Sequence, residues 1–289
     1  MTPAGGESGG HPYGPAPGGQ SGSVTQEILR ATVESYQSVR PNEIGFHDEP
    51  LSSLGMNPTA GRSARATAAF FDLDKTIISR SSTLAFVPSF YRHGLINRAQ
   101  AVRGGVAQLV YRAGGADPRQ IERLKEQVAR ACRGWPVERV TEIVTTHLTE
   151  TIGPIIYAEA RRLVESHQQA GRDVFIVSTA GQEMVGPIGA MLGVSGVIAT
   201  RMRHADGRYT GECEFYAYGE AKAQRMRQLA DERGYALTDC FAYSDSHTDL
   251  PMLEAVGYPH AVNPDRQLRR VAASRGWPVL AFAAQSAGM

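Results

Sequence analysis

Ala66-Thr67-Ala68-Ala69-Phe70-Phe71-Asp72-Leu73-Asp74-Lys75-Thr76 is the stretch on which the reading of this chain turns. Its first half is a short apolar run that stops abruptly at charge, as a strand buried on both faces of a parallel sheet does. Its second half sets two carboxylates at i and i+2, which on extended chain point the same way and can reach one centre. Reactive groups of parallel sheets gather just past the strand carboxyl ends. Asp72 and Asp74 therefore read as a nucleophile and a proton carrier. Taken alone, the same residues suit an Asp-rich turn that caps a helix.

Downstream, residues 81–171 read as helical throughout, over 81–93, 97–113, 117–132, 136–151 and 154–170. Asn97, Asp117, Pro136 and Pro154 mark starts. After Gly171 the pattern alternates: strand 174–177, helix 182–192, strand 197–199, a hairpin turning at Asp206-Gly207, and helix 220–233. Strand 240–243, helix 249–256, strand 261–262, helix 265–275 and strand 279–282 follow. Such alternation predicts an α/β fold, a mostly parallel sheet covered on both faces. Residues 66–80 and 172–289 would form its core, with 81–171 inserted after the first strand. Upstream, residues 1–65 read as an extension: a Gly-, Pro- and Ser-rich tail, a short helix over 24–39, then an irregular lead-in.

Composition bounds the function. The 289 residues are 42% hydrophobic and 20% charged, with net charge +1, which suits a soluble globular protein and selects no partner. Cys132, Cys213 and Cys240 are too few and scattered for a disulfide framework or a thiolate metal site, so a reducing, cytoplasmic setting is expected. No apolar leader opens the sequence, and the charge-poor stretch 175–200 is broken by Glu183, Pro187 and glycines. Lysine is scarce: Lys75, Lys125 and Lys222 stand against 27 arginines.

Three further strand ends carry the same chemical theme. Ser178 and Thr179 precede a helix, where hydroxyls and N–H groups make a phosphate cradle or simply an N-cap. Lys222, in Gly219-Glu220-Ala221-Lys222, offers a cation to such a phosphate, or lies on a solvated helix face. Asp245 and Asp249, at i and i+4, could hold a hard cation such as Mg2+ through oxygen, or serve a turn with Asp249 as helix cap. His247 between them reads as a surface or supporting residue.

Together these motifs resemble the haloacid dehalogenase-like phosphatases, in the subfamily IB branch that includes phosphoserine phosphatase. Asp72-Leu73-Asp74-Lys75-Thr76 matches the first family motif, Ser178 the second, Lys222 the third, and Asp245 with Asp249 the fourth. The resemblance spans residues 66–282. The stretches 133–137, 244–253 and 262–265 look closer still to one set of uncharacterised or lipid-linked IB hydrolases. The resemblance implies a Rossmann-like core in which Asp72 becomes an aspartyl phosphate and Asp74 serves as acid and then base. It implies Mg2+ on the Asp72 carboxylate, the Asp74 main-chain carbonyl and Asp245, with Asp249 and Thr76 supporting. Ser178, Thr179 and Lys222 would hold the phosphoryl group, and the helical insertion would be a cap over the site. Two departures stand out. Ser244 replaces a common Gly, and Ser81 stands nine residues after Asp72, where phosphoserine phosphatases carry Glu, which argues against phosphoserine.

Between Arg80 and Arg133 ten basic residues face three acidic ones. This is a solvated helical surface or an attraction for an anionic substrate or anionic membrane. With Leu84, Phe86, Val87, Phe90 and Tyr91 nearby, as the insertion's core or an acyl pocket, the substrate expectation covers small phosphates and lysophospholipid-type phosphates. The alternatives are a phosphotransferase and a regulatory phospho-ligand-binding protein on the same fold. Nucleic acid is not expected, because the basic residues lack a reading motif, and no protein partner is identifiable.

Overall fold

The structure, a computed structural model, describes residues 66–97 and 118–283. The expected extension 1–65, its helix over 24–39 and most of the helix over 97–113 lie outside the described residues.

Strand β1 (Ala68–Phe71) is wholly buried, as its apolar run requires. It pairs in parallel with β2 (Asp173–Gly181) on one side and β5 (Phe241–Ser244) on the other. With β3 (Gly196–Ala205), β4 (Arg208–Phe215), β6 (Tyr258–Val262) and β7 (Val279–Leu280), the sheet runs β4-β3-β2-β1-β5-β6-β7. Every neighbouring pair is parallel except β3 with β4. Side chains alternate between two cores: Ala69 and Phe71 face one, Ala68 and Phe70 the other.

The first core continues into the block between β1 and β2. That block holds α1 (Ser82–Arg92), α2 (Pro118–Ala131), α3 (Val137–Thr146), α4 (Leu148–Ile152), a 3-10 turn and α5 (Ala158–Gln169). Phe86, Phe90, Val140, Ile143 and Val144 share it with Ile176, Val185 and Ile188, the last two on α6 (Gln182–Met191). The second core is covered by α7 (Glu220–Arg233), α8 (Leu250–Glu254) and α9 (Arg266–Arg275). Among the described residues no helix is long and apolar enough to cross a membrane.

Several elements differ from the sequence reading, among them β2, which runs four residues past Val177 and so carries Ser178 and Thr179 within the strand. The helix expected over 136–151 breaks at His147, which ends α3 and precedes α4. The hairpin expected to turn at Asp206-Gly207 is present, but its first arm is continuous with strand 197–199 in β3, its outer half stabilised by cross-strand ion pairs instead of burial. Arg201 meets Glu214 at 3.5 Å and Arg203 meets Glu212 at 3.3 Å, a polar pattern that hydrophobic alternation does not reveal.

The stretch from Arg133 to Val137 laces the helical block to this hairpin. The Gly134 N–H donates to Tyr209 O at 2.8 Å, Tyr209 N–H to Trp135 O at 3.1 Å, and Val137 N–H to Gly207 O at 2.9 Å. Arg133 Nε adds a bond to Thr210 O at 3.0 Å. Gly211 makes room for it: at φ +86°, a Cβ there would lie 2.7 Å from Arg133 Nε.

His167 on α5 lies buried against Phe71 and Phe241, 4% exposed, with Nε2 2.8 Å from the Tyr243 hydroxyl. Arg172 can only donate to Nδ1, at 3.4 Å, so Nε2 carries the proton. Burial, then Arg172 and His260, lower its pKa to about 4. The unfolded chain, with His near 6.5, therefore takes up this proton first as pH falls. Stability is lost between about pH 6.5 and pH 4, by up to roughly 3 kcal/mol. Urea unfolding at pH 7 and pH 4.5 checks this: His167→Gln should lose less stability than the native chain, and equal losses would refute it.

Candidate active site

The chain leaves β1 in a tight turn. The N–H groups of Ile77 and Ile78 return to Leu73 O at 2.9 and 3.0 Å, and Asp72 N–H extends the β5 ladder to Tyr243 O at 2.9 Å. Lys75 takes φ +66°, a left-handed conformation unusual for a residue with a side chain. Asp74 Oδ1 accepts the Ser82 N–H at 2.9 Å, so the second carboxylate sits on the first turn of α1.

Sheet register brings the other candidates together. Phe71 pairs with Ile176 and with Tyr243, which sets Asp72 level with Val177 and Ser244, one residue before Ser178 within β2 and one before Asp245 just past β5. Ser178 is buried, and its Oγ accepts the Ala180 N–H at 3.2 Å, leaving its own proton to donate. The Thr179 hydroxyl donates to Ala217 O at 2.9 Å instead and so anchors the loop that leads to α7. Gly219 starts α7 at φ +53° and ψ −123°, a conformation open essentially to glycine.

One turn on, Lys222 reaches the centre. Its Nζ lies 2.7 Å from Asp72 Oδ1 and 2.9 Å from Asp249 Oδ2, and all three side chains are buried. The Ser244 hydroxyl also donates to Asp249 Oδ2, at 2.8 Å. Lys75 Nζ lies 3.5 Å from Asp245 Oδ2. His247 contributes its main-chain N–H to Asp265 Oδ2 at 2.8 Å, and Asp265 caps α9. The Thr76 hydroxyl is buried without a hydrogen-bond partner in the structure.

Burial pushes the Asp72 carboxyl well above the usual range. Lys222 pulls it back, while Asp249 and Asp245 push it further up. Asp245 is raised to about 7, by burial first, with Lys75 opposing and Asp249 adding. Burial likewise raises Asp74, against the Ser82 N–H. Lys222 is raised because Asp249 and Asp72 outweigh the burial that disfavours its charge. Carboxylates thus crowd one another beyond what the two lysines offset, and a hard cation held by oxygen fits that surplus. Among the described residues no group of three His, Cys, Asp or Glu side chains forms a metal cluster. The expected set needs only two carboxylates and a main-chain carbonyl.

Sequence reading missed several contributors. Ser82 acts through its N–H, and Thr200 through bonds to Thr179 O at 2.7 Å and from Ala217 N–H at 3.2 Å. A main-chain N–H such as that of Ser82 carries no residue signal, and the Thr200 bonds join segments 21 and 17 residues apart. Tyr216 and Tyr218, stacked at 5.8 Å just before Gly219, were legible as an aromatic i, i+2 pair.

A family model described as haloacid dehalogenase-like hydrolase matches residues 69–254. A Streptomyces azureus protein named "Inhibition of morphological differentiation protein" is 59% identical over 217 residues, 75% of this chain and 78% of its own length. A Mycobacterium tuberculosis protein that bears the name of a phosphatase is 52% identical over 81% of this chain and 83% of its own length. A Neisseria meningitidis protein named histidinol-phosphatase is 34% identical over 74% of this chain and 98% of its own length. The solved structure of a phospho-aspartyl intermediate analogue of phosphoserine phosphatase shares the fold, with TM-score 0.56 at 17% identity over 75% of this chain and 93% of that one. The chain belongs to the haloacid dehalogenase-like hydrolase family and is one of its phosphatases.

Proposed function

We propose that this phosphatase is a Mg2+-dependent phosphomonoester hydrolase that works through a phosphorylated Asp72. The observation that carries the reading is the buried Lys222 ammonium held between Asp72 and Asp249 at the head of the central strand. An Asp72 oxygen attacks phosphorus while the bond from phosphorus to the leaving oxygen breaks, and Asp74 gives that leaving oxygen its proton so that it departs as the alcohol. The Asp74 carboxylate then takes a proton from water as the water oxygen attacks phosphorus. The Asp72–phosphorus bond breaks, releasing inorganic phosphate and restoring both acids.

Asp74 suits the first role because burial keeps its carboxyl protonated to higher pH than usual. Of the three N–H donors on Lys222, two meet carboxylates and one remains for a phosphoryl oxygen. The Ser178 hydroxyl is a second donor, and Thr179 shapes the cradle through the Ala217 contact. Mg2+ would be held by Asp72, the Asp74 carbonyl and Asp245, with Asp249 and Thr76 supporting. When bound it neutralises charge on the phosphoryl oxygens. The helical insertion, 81–171, acts as the cap that limits water.

The substrate is a small soluble phosphomonoester, as the name of the histidinol-phosphatase relative suggests. A lipid substrate or membrane contact finds no support: on α2, Lys125 already meets Glu122 at 3.1 Å and Arg130 meets Glu126 at 2.6 Å. The test is a screen of amino-alcohol, amino-acid, sugar and lipid phosphates. Turnover of a small phosphate should vanish with EDTA and return with Mg2+, and turnover that survives complete metal removal would overturn the metal requirement.

A further inference from the structure

Lys75 differs from Lys222 in every physical respect. Lys222 is buried and bonded to two carboxylates, whereas the Lys75 side chain is 42% exposed and touches Asp245 at 3.5 Å, an ion pair longer than a hydrogen bond. One partner is a buried anion, the other a cation free to swing into solvent. The backbone makes the choice of residue costly. At φ +66° glycine is the residue that fits, and a lysine there gives up about 1 kcal/mol of conformational energy. In a chain with 27 arginines, this position holds a compact ammonium on a flexible stem, not a guanidinium fork that would clamp a carboxylate with two bonds.

We propose that Lys75 is a resident counter-cation of the candidate metal site, which neutralises Asp245 in the metal-free protein and is displaced when a divalent ion binds. The inference rests on the metal site proposed above and deepens it. Mg2+ and the Lys75 ammonium compete for the same Asp245 charge, so the lysine sets how tightly the ion is held. It also keeps the metal-free site from carrying an uncompensated buried carboxylate.

The test is calorimetric titration of the full-length protein with Mg2+, comparing the native chain, Lys75→Asn and Lys75→Arg. Asparagine tolerates the left-handed backbone and removes the charge, so Mg2+ should bind about three- to tenfold more tightly. Arginine keeps the charge and grips Asp245 with two bonds, so Mg2+ should bind more weakly. Without metal, Lys75→Asn should melt lower than the native chain and gain more from Mg2+. Equal or weaker Mg2+ binding by a folded Lys75→Asn overturns the inference and leaves the metal site standing. Should Lys75→Asn not fold, unchanged binding by Lys75→Arg overturns it instead. No Mg2+ binding by any of the three overturns the metal site and the inference together.

Discussion

Asp72→Asn should abolish turnover, by about 10⁴-fold or more, while leaving the protein folded. Asparagine has the same shape, but its amide does not attack phosphorus. Stability should not suffer, for a physical reason. Burial and the neighbouring Asp249 and Asp245 raise the Asp72 carboxyl well above its usual range, so its ionised form is held at a cost in the metal-free fold. Lys222 also keeps its second partner, Asp249, at 2.9 Å. Steady-state kinetics with a good substrate, run beside a thermal melt in EDTA, separate the two effects. Retained turnover would remove Asp72 as nucleophile, and a collapsed melt would make its role structural.

The second large effect is expected at Lys222, and there structure and chemistry fail together. Lys222→Met keeps the length of the side chain but strands two buried carboxylates, Asp72 and Asp249, without their shared cation. Breaking a buried pair in this way costs about 3–5 kcal/mol, and with the loss of the proposed phosphoryl-oxygen donor activity should fall by roughly 10³-fold. Adding Asp72→Asn to Lys222→Met should recover part of the stability, because one stranded charge is gone, and none of the activity. Urea unfolding of the four proteins in this cycle measures the coupling. A Lys222→Met penalty below about 1 kcal/mol would show that solvent or another cation reaches the site.

Much of this was legible in the chain because its governing interactions are local. A four-residue apolar run ending at Asp72 is a buried strand on any reading, and its burial is complete. Alternation after Gly171 located the parallel strands, since strands buried on both faces show as unbroken apolar runs. Asp72 and Asp245 stand out because they follow the parallel strands β1 and β5, whereas Ser178 lies within β2 and Lys222 reaches in from helix α7. What escaped was held by contacts across the fold. The hairpin turn at Asp206-Gly207 was legible, but the joining of its first arm to strand 197–199 was not, because Arg201 and Arg203 hold that arm by meeting Glu214 and Glu212. Helix 136–151 breaks at His147, inside an otherwise continuous helical pattern. Ser244 stood out only as a departure from a common glycine, and its hydroxyl holds the carboxylate that holds Lys222.

The lacing between Arg133–Val137 and the β3–β4 hairpin has a consequence for any motion that admits substrate. Main-chain bonds join helices and hairpin, so a movement of the helices as the proposed cap would carry the hairpin with it. The ladder between β3 and β4 is irregular from Arg201 to His204, near where the hairpin leaves the sheet, and a bend there costs few regular bonds. A side chain introduced at Gly211, buried on the edge strand β4, would wedge against Arg133 and pry the latch open.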